Sequence, residues 1–127
     1  MRKYLVVSLI IVLILAGCAS STSQIITKVT PQKAMELIDT TSNLVFIDVR
    51  TYEEYQTGYA EGSVLLPLDT LEASIATIVS TKDTPILIIC RSGNRSNQAA
   101  LLLQKLGYTE IYDVGGILDW PYEIIRP

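Results

Sequence analysis

The chain has 127 residues, 49% of them hydrophobic and 18% charged, with ten Lys+Arg, thirteen Asp+Glu, two Cys and no His. That length allows one globular domain, and a net charge of −3 leaves no basic surplus for binding nucleic acid. The missing His excludes Ser-His-Asp and Cys-His catalysis and His-ligated metals, and two Cys alone supply neither a zinc site nor a disulfide scaffold.

A mean hydropathy of +0.35 is high for a soluble domain, and the excess lies at the N-terminus. Arg2-Lys3 precedes Tyr4 to Ala16, thirteen residues with Ser8 as the one polar side chain. As a helix this run rises about 20 Å, short of the roughly 30 Å hydrocarbon core. A basic start, a short apolar run and small residues describe a secretory signal over residues 1–17, with an uncleaved anchor as the alternative. Leu15-Ala16-Gly17-Cys18 resembles the lipobox of bacterial lipoproteins. The resemblance implies lipidation of Cys18, cleavage before it, acylation of the new N-terminus and an extracytoplasmic, membrane-anchored protein. Ala19, in place of an acidic retention residue, favours an outer membrane if the host has one. Residues 18–24 have the small, polar composition of a tether. Loss of Arg2 and Lys3 with the signal takes the net charge from −3 to −5.

Residues 25–127 alternate apolar runs with helical stretches, predicting one α/β domain: a mostly parallel central sheet with helices on both faces. Thr30-Pro31 caps and opens a helix with Ala34, Leu37 and Ile38 on one side. Leu44 to Val49 reads as a strand ending in charge, and Tyr52 to Tyr55 as one helical turn stopped at Gly58. Val64 to Leu66 is a short strand, and Leu71, Ile75, Ile78 and Val79 have helical spacing. Pro85 to Ile89 is the most apolar strand and runs into Cys90. Ser96 is the expected N-cap of a helix carrying Ala99, Leu102, Leu103 and Leu106, with Gly107 past its end. Glu110 to Val114 makes a last strand, broken by Gly115-Gly116, before a turn with Trp120. Trp120 and the seven Tyr are assigned to core and rim.

A buried strand delivers Cys90 to its carboxyl end, where open α/β sheets place ligand sites. The following Arg91-Ser92-Gly93-Asn94-Arg95 can curl its N–H groups inward as an anion nest, and a helix start adds positive potential. Gly93 and Asn94 suit the unusual backbone that such a loop demands. Two arginines and a helix end favour thiolate over thiol without a general base.

Cys90 to Ser96 resembles the active-site loop of single-domain rhodanese-like sulfurtransferases. Ile47-Asp48-Val49-Arg50 with Glu53-Glu54-Tyr55, then Gly58 to Leu68, then Gly115-Gly116-Ile117 with Trp120, resemble further motifs of that family in order. Tyr59 stands where the family usually has His, and Ala60-Glu61 replaces Ile-Pro. The resemblance implies ping-pong transfer of sulfane sulfur from thiosulfate or a related donor to cyanide or a thiol, through a persulfide on Cys90. It implies no cofactor and no metal. Arg91, Ser92, Gly93, Asn94, Arg95 and Ser96 form the expected substrate-binding loop, with Asp48 and Arg50 as its support. Arg91 is the choice for drawing in the anionic donor and Ser92 for bonding the terminal sulfur. Arg95 is expected to pair with Asp48 and close the loop, with substrate contact as the alternative. Arg50 and Glu54, at i and i+4, form a possible helix-surface pair.

Three rival readings stand beside this one. Phosphatase or arsenate-reductase loops space Cys and Arg by five residues, whereas four separate Cys90 from Arg95. A silent protein-binding module usually lacks the nucleophile that this chain keeps. A persulfide carrier or thiol-redox protein shares the site and is not separated by sequence. The expected partners are a small anionic sulfur donor, a thiol or cyanide acceptor and, through Cys18, a membrane; the domain is expected to be monomeric. With Cys18 lipidated, Cys90 is the one free thiol and needs a reductant or a steady donor outside the cytoplasm.

Overall fold

The computed structural model describes Gly17 and residues 24–127. The apolar run of the signal segment and the proposed lipidation site Cys18 lie outside the described residues. Within them, no helix is long and apolar enough to cross a membrane.

Five parallel strands form the central sheet in the spatial order β1-β6-β5-β2-β4. They are β1 (Ile26–Lys28), β2 (Val45–Asp48), β4 (Val64–Leu65), β5 (Ile86–Cys90) and β6 (Ile111–Gly116). The centre of the sheet is β5, whose residues are all buried because helices cover both faces. Side chains alternate along it: Ile86, Ile88 and Cys90 enter one core, and Leu87 and Ile89 enter the other. The first core is closed by helices α3 (Leu71–Ile78) and α4 (Asn94–Lys105), through Leu71, Ile75, Ala99, Ala100 and Leu103. The second is closed by α1 (Pro31–Thr40), which contributes Ala34, and by Trp120.

The helix signals at Thr30-Pro31 hold, with Lys33 N donating to Thr30 Oγ1 at 3.1 Å. Three other expectations need correction. The N-cap of α4 is Gly93, not Ser96; Gly93 adopts φ +107, and the helix starts three residues early, at Asn94. Residue Ser96 instead turns its hydroxyl back to donate to the Gly93 carbonyl at 3.0 Å. The last strand is not broken at Gly115-Gly116. Opposite β5, Asp113 pairs with Ile88 and Gly115 with Ile89, so Val114 is a bulge residue and pairing continues to Gly116. The third correction concerns short elements: β1 and the antiparallel pair β3 (Tyr59–Ala60) and β7 (Ile124–Ile125) were not among the expected strands.

Helix α2 (Tyr52–Gln56) follows β2 and opens on a capping box. Thr51 Oγ1 accepts from Glu54 N at 3.2 Å, and the Glu54 carboxylate accepts from Thr51 N at 2.9 Å. Tyr59, the departure from the family's His, stacks on Tyr55 with ring centroids 4.1 Å apart. The Tyr55 hydroxyl in turn donates to the Ser63 carbonyl at 2.7 Å. A stacked aromatic pair thus packs the position where the resembled sequences usually carry an imidazole.

Candidate active site

Every carboxyl end of the parallel strands points to one edge of the sheet, and Cys90 ends the central strand there. Its side chain is 1% exposed, at the floor of the loop that joins β5 to α4. Gly93 N donates to Cys90 Sγ at 3.0 Å, so the loop curls a backbone donor back onto the sulfur. The positive φ of Gly93 makes that curl possible. Asn94, Arg95 and Ser96 form the first turn of α4, whose N–H groups have no intrahelical acceptor and carry the positive end of the helix dipole.

On the far side the loop is held by β6. A Cβ at Gly116 would collide with the Arg91 carbonyl oxygen and lie 2.5 Å from Ser92 Cα. Leu118 N also donates to the Arg91 carbonyl at 3.3 Å. The loop backbone therefore rests directly on a glycine strand that has no side chain to keep it away.

The expected site residues separate into two groups. Arg91, Ser92 and Asn94 are exposed, and Arg91 forms no ion pair among the described residues. Gly93 and Arg95 are half-buried, and Ser96 is fully buried with its hydroxyl committed to Gly93. Ser96 thus shapes the loop from within and does not face solvent.

Arg95 does not pair with Asp48. Its two terminal nitrogens grip the Glu54 carboxylate, at 2.6 and 2.7 Å. Asp48 is already occupied: Arg50 Nε lies 3.0 and 2.9 Å from its two oxygens, and Nη2 is 2.8 Å from one of them. This ion pair is buried, at 4% and 0% exposure. Arg50 then donates to the Gly58 carbonyl at 2.8 Å and the Glu54 carbonyl at 3.3 Å. The expected Arg50–Glu54 side-chain pair is therefore absent, replaced by this backbone contact. Asp48 and Arg50 support the loop at one remove: they fix α2, α2 fixes Glu54, and Glu54 fixes Arg95.

Glu54 is the residue that sequence reasoning missed in this chain of contacts. Its signal was present in Thr51-x-x-Glu54, which marks a capping box with its carboxylate turned back on the helix start. The Arg95 hydrogen bonds hold the Glu54 carboxyl at about 2, against an ordinary 4.5, with Thr51 assisting and burial opposing. A depressed carboxylate stabilises the fold above its unfolded value and loses that contribution as pH falls through its folded value. Glu54→Gln keeps the capping acceptor and removes the charge. At pH 6 it is expected to cost about 1–2 kcal/mol, the range for a bidentate, partly solvated pair. In urea melts the difference from wild type should shrink between pH 4.5 and about 2 and then vanish. A pH-independent difference would deny the ion pair this role.

Beside the loop lies a cleft of about 320 Å3, lined by Val49, Pro67 and Leu68 with Thr51, Asp69, Arg50 and Arg95. Cys90 does not line it, whereas Arg95, in the first turn of α4, does. Both arginines face it with their charge matched by Glu54 and Asp48, which leaves Arg91 as the unmatched cation of the loop.

The structure is that of a parallel α/β domain whose central strand ends in a cysteine, cradled by a short loop and a helix start. The chain belongs to the Rhodanese-like domain family, whose pattern its residues 30–122 match. It is 36% identical over 74 residues to thiosulfate sulfurtransferase PspE of Escherichia coli (strain K12), a match covering 58% of this chain and 71% of that protein. It is 30% identical over 103 residues to the putative sulfur carrier protein YrkF of Bacillus subtilis (strain 168), covering 80% of this chain. That match spans 55% of YrkF, little more than half its length. Among solved structures, a rhodanese with anions from E. coli superposes with a TM-score of 0.63 at 32% identity, covering 66% of this chain and 99% of the other.

Proposed function

We propose that the domain is a thiosulfate sulfurtransferase working through a persulfide on Cys90. The observation that carries this reading is the Cys90 sulfur at the strand end with the Gly93 N–H turned onto it at 3.0 Å. In the first step the Cys90 thiolate attacks the outer sulfur of thiosulfate. A new S–S bond forms, the old one breaks, and sulfite leaves with the electron pair. In the second, cyanide or a thiolate attacks the outer persulfide sulfur; thiocyanate or a new persulfide departs and the Cys90 thiolate returns. The thiolate and the persulfide are both anionic and both sit beside the Gly93 N–H and the start of α4, so neither step calls for an imidazole.

Steady-state thiocyanate formation tests the reading. Parallel double-reciprocal plots for thiosulfate and cyanide are expected, as for any ping-pong transfer. Converging lines or no thiocyanate would overturn it, and absent turnover with thiol-bound sulfur on Cys90 would favour a carrier, the role named for YrkF.

Arg91 is assigned to attracting the anionic donor, because it is the exposed, unmatched cation of the loop. Arg91→Ala is expected to raise the thiosulfate KM roughly threefold to tenfold with kcat within about twofold, the size of one solvated charge contact. An unchanged KM would remove Arg91 from donor binding.

We also propose that residues 1–17 are a lipoprotein signal and that Cys18 carries the lipid. Residues 18–24 would then tether residues 25–127 to the extracytoplasmic face of a bacterial membrane. Support comes from the basic start, the thirteen-residue apolar run and the Leu15-Ala16-Gly17-Cys18 motif.

A further inference from the structure

Strand β6 carries a buried carboxylate that the transfer steps do not use. Among the described residues two Asp side chains are buried, Asp48 at 0% and Asp113 at 4% exposure. Arg50 neutralises Asp48. Asp113 forms no ion pair among the described residues, and a buried carboxylate without a cation is costly unless hydrogen bonds hold it. What it holds is backbone: Asp113 Oδ1 accepts from Gly115 N at 2.9 Å.

That bond spans the bulge. Ile88 stands opposite Asp113 and Ile89 opposite Gly115, so Val114 is the extra residue, and the carboxylate closes the turn around it. Gly115 adopts φ +88, a left-handed conformation, and has no side chain of its own to fix it. The Asp113 carboxylate supplies that restraint. Gly115 in turn lies against the loop: a Cβ on Gly93 would come 3.7 Å from Gly115 Cα. Gly93 is the residue whose N–H donates to Cys90 Sγ at 3.0 Å. The next residue of the strand, Gly116, pairs with Cys90 and touches the backbone of Arg91 and Ser92. The bulge therefore sets where the loop can sit relative to the sulfur. We propose that Asp113 is a positioning residue for sulfur transfer, holding the Gly115–Gly116 backbone so that Gly93 keeps its N–H on the Cys90 sulfur. This rests on Cys90 as the nucleophile of that transfer.

Two variants separate the hydrogen bond from the charge. Asp113→Asn keeps the volume and an acceptor oxygen, whereas Asp113→Leu keeps the volume and removes the acceptor. Asp113→Leu is expected to lower kcat for thiocyanate formation at least about tenfold, with the thiosulfate KM within about threefold because Arg91 is untouched. Asp113→Asn should keep kcat within about threefold of wild type. The Gly93 N–H reads the loop without any sulfur transfer. Its exchange with solvent should be about tenfold faster in Asp113→Leu and within about threefold of wild type in Asp113→Asn. Both measurements are made where circular dichroism shows the variant folded. If Asp113→Leu does not fold, Asp113→Ala takes its place with the same expectation. Wild-type kcat and wild-type Gly93 exchange in a folded variant lacking the acceptor would overturn the proposal. So would a loss in Asp113→Asn equal to that in Asp113→Leu. If the wild-type protein makes no thiocyanate, it is the transfer reading that fails, and Gly93 exchange alone still decides whether Asp113 places the loop.

Discussion

Replacing Cys90 with Ser is expected to lower thiosulfate-to-cyanide transfer by at least about a thousandfold, to the level of the uncatalysed reaction. The two side chains differ by one atom, but a hydroxyl is not ionised near neutral pH. This chain offers no His to deprotonate it. The Gly93 N–H would then face a neutral oxygen, and no S–S bond could form. Stability should change little, because the substitution is nearly isosteric and the site is already packed at 1% exposure. Cys18→Ser, changing the chain's other cysteine, should leave the transfer rate intact. Activity persisting in Cys90→Ser would remove the nucleophile from the account.

The second large effect is expected at Gly116. Its backbone is ordinary extended strand, φ −115 and ψ 150, so a side chain is excluded by space and not by conformation. In Gly116→Ala the new Cβ would meet the backbone of Arg91 and Ser92, within 2.6 Å of the Arg91 carbonyl carbon. Backbone cannot swing aside as a side chain does, so either β6 separates from the sheet or the loop lifts away from Cys90. The expected cost is roughly 2–4 kcal/mol, the upper range for overpacking. For a domain of this size that lowers Tm by about 10 °C or more. Sulfur transfer should fall in parallel, even at temperatures where the variant remains folded, because the displaced loop no longer places its N–H on the sulfur. A variant with unchanged Tm and unchanged rate would mean that the loop does not rest on Gly116.

The sheet was legible from sequence because its central strands are short apolar runs closed by charge or by Pro and Gly. Pro85 to Ile89 pointed to β5, and Leu44 to Val49 to β2. The position of Cys90 was legible for the same reason, since a strand so apolar has to end in the loop that follows it. Less was readable where the determinant is not local. Strands of two or three residues, such as β1 and β3, carry too little pattern to separate from loop; their pairing partners Ile111 and Ile125 lie far along the chain. The start of α4 was misplaced because Gly93 caps it with its backbone conformation, while Ser96 has the side chain that a cap usually shows.

The Arg95 partner was misassigned on similar grounds. Asp48 ends the neighbouring strand and looked available, but a closer arginine, two residues on, takes both of its oxygens. Glu54 then holds Arg95 across 41 residues of sequence. The consequence for the site is that the charge of Arg95 is matched, which leaves Arg91, unpaired among the described residues, as the cation proposed to attract a donor anion.

The most direct measurement is the intact mass of the protein after exposure to thiosulfate and removal of excess donor. A gain of one sulfur atom is expected, located on the peptide that carries Cys90, lost on addition of cyanide and never acquired by Cys90→Ser. No gain in mass, or a gain that survives in Cys90→Ser, would contradict the persulfide and with it the proposed transfer.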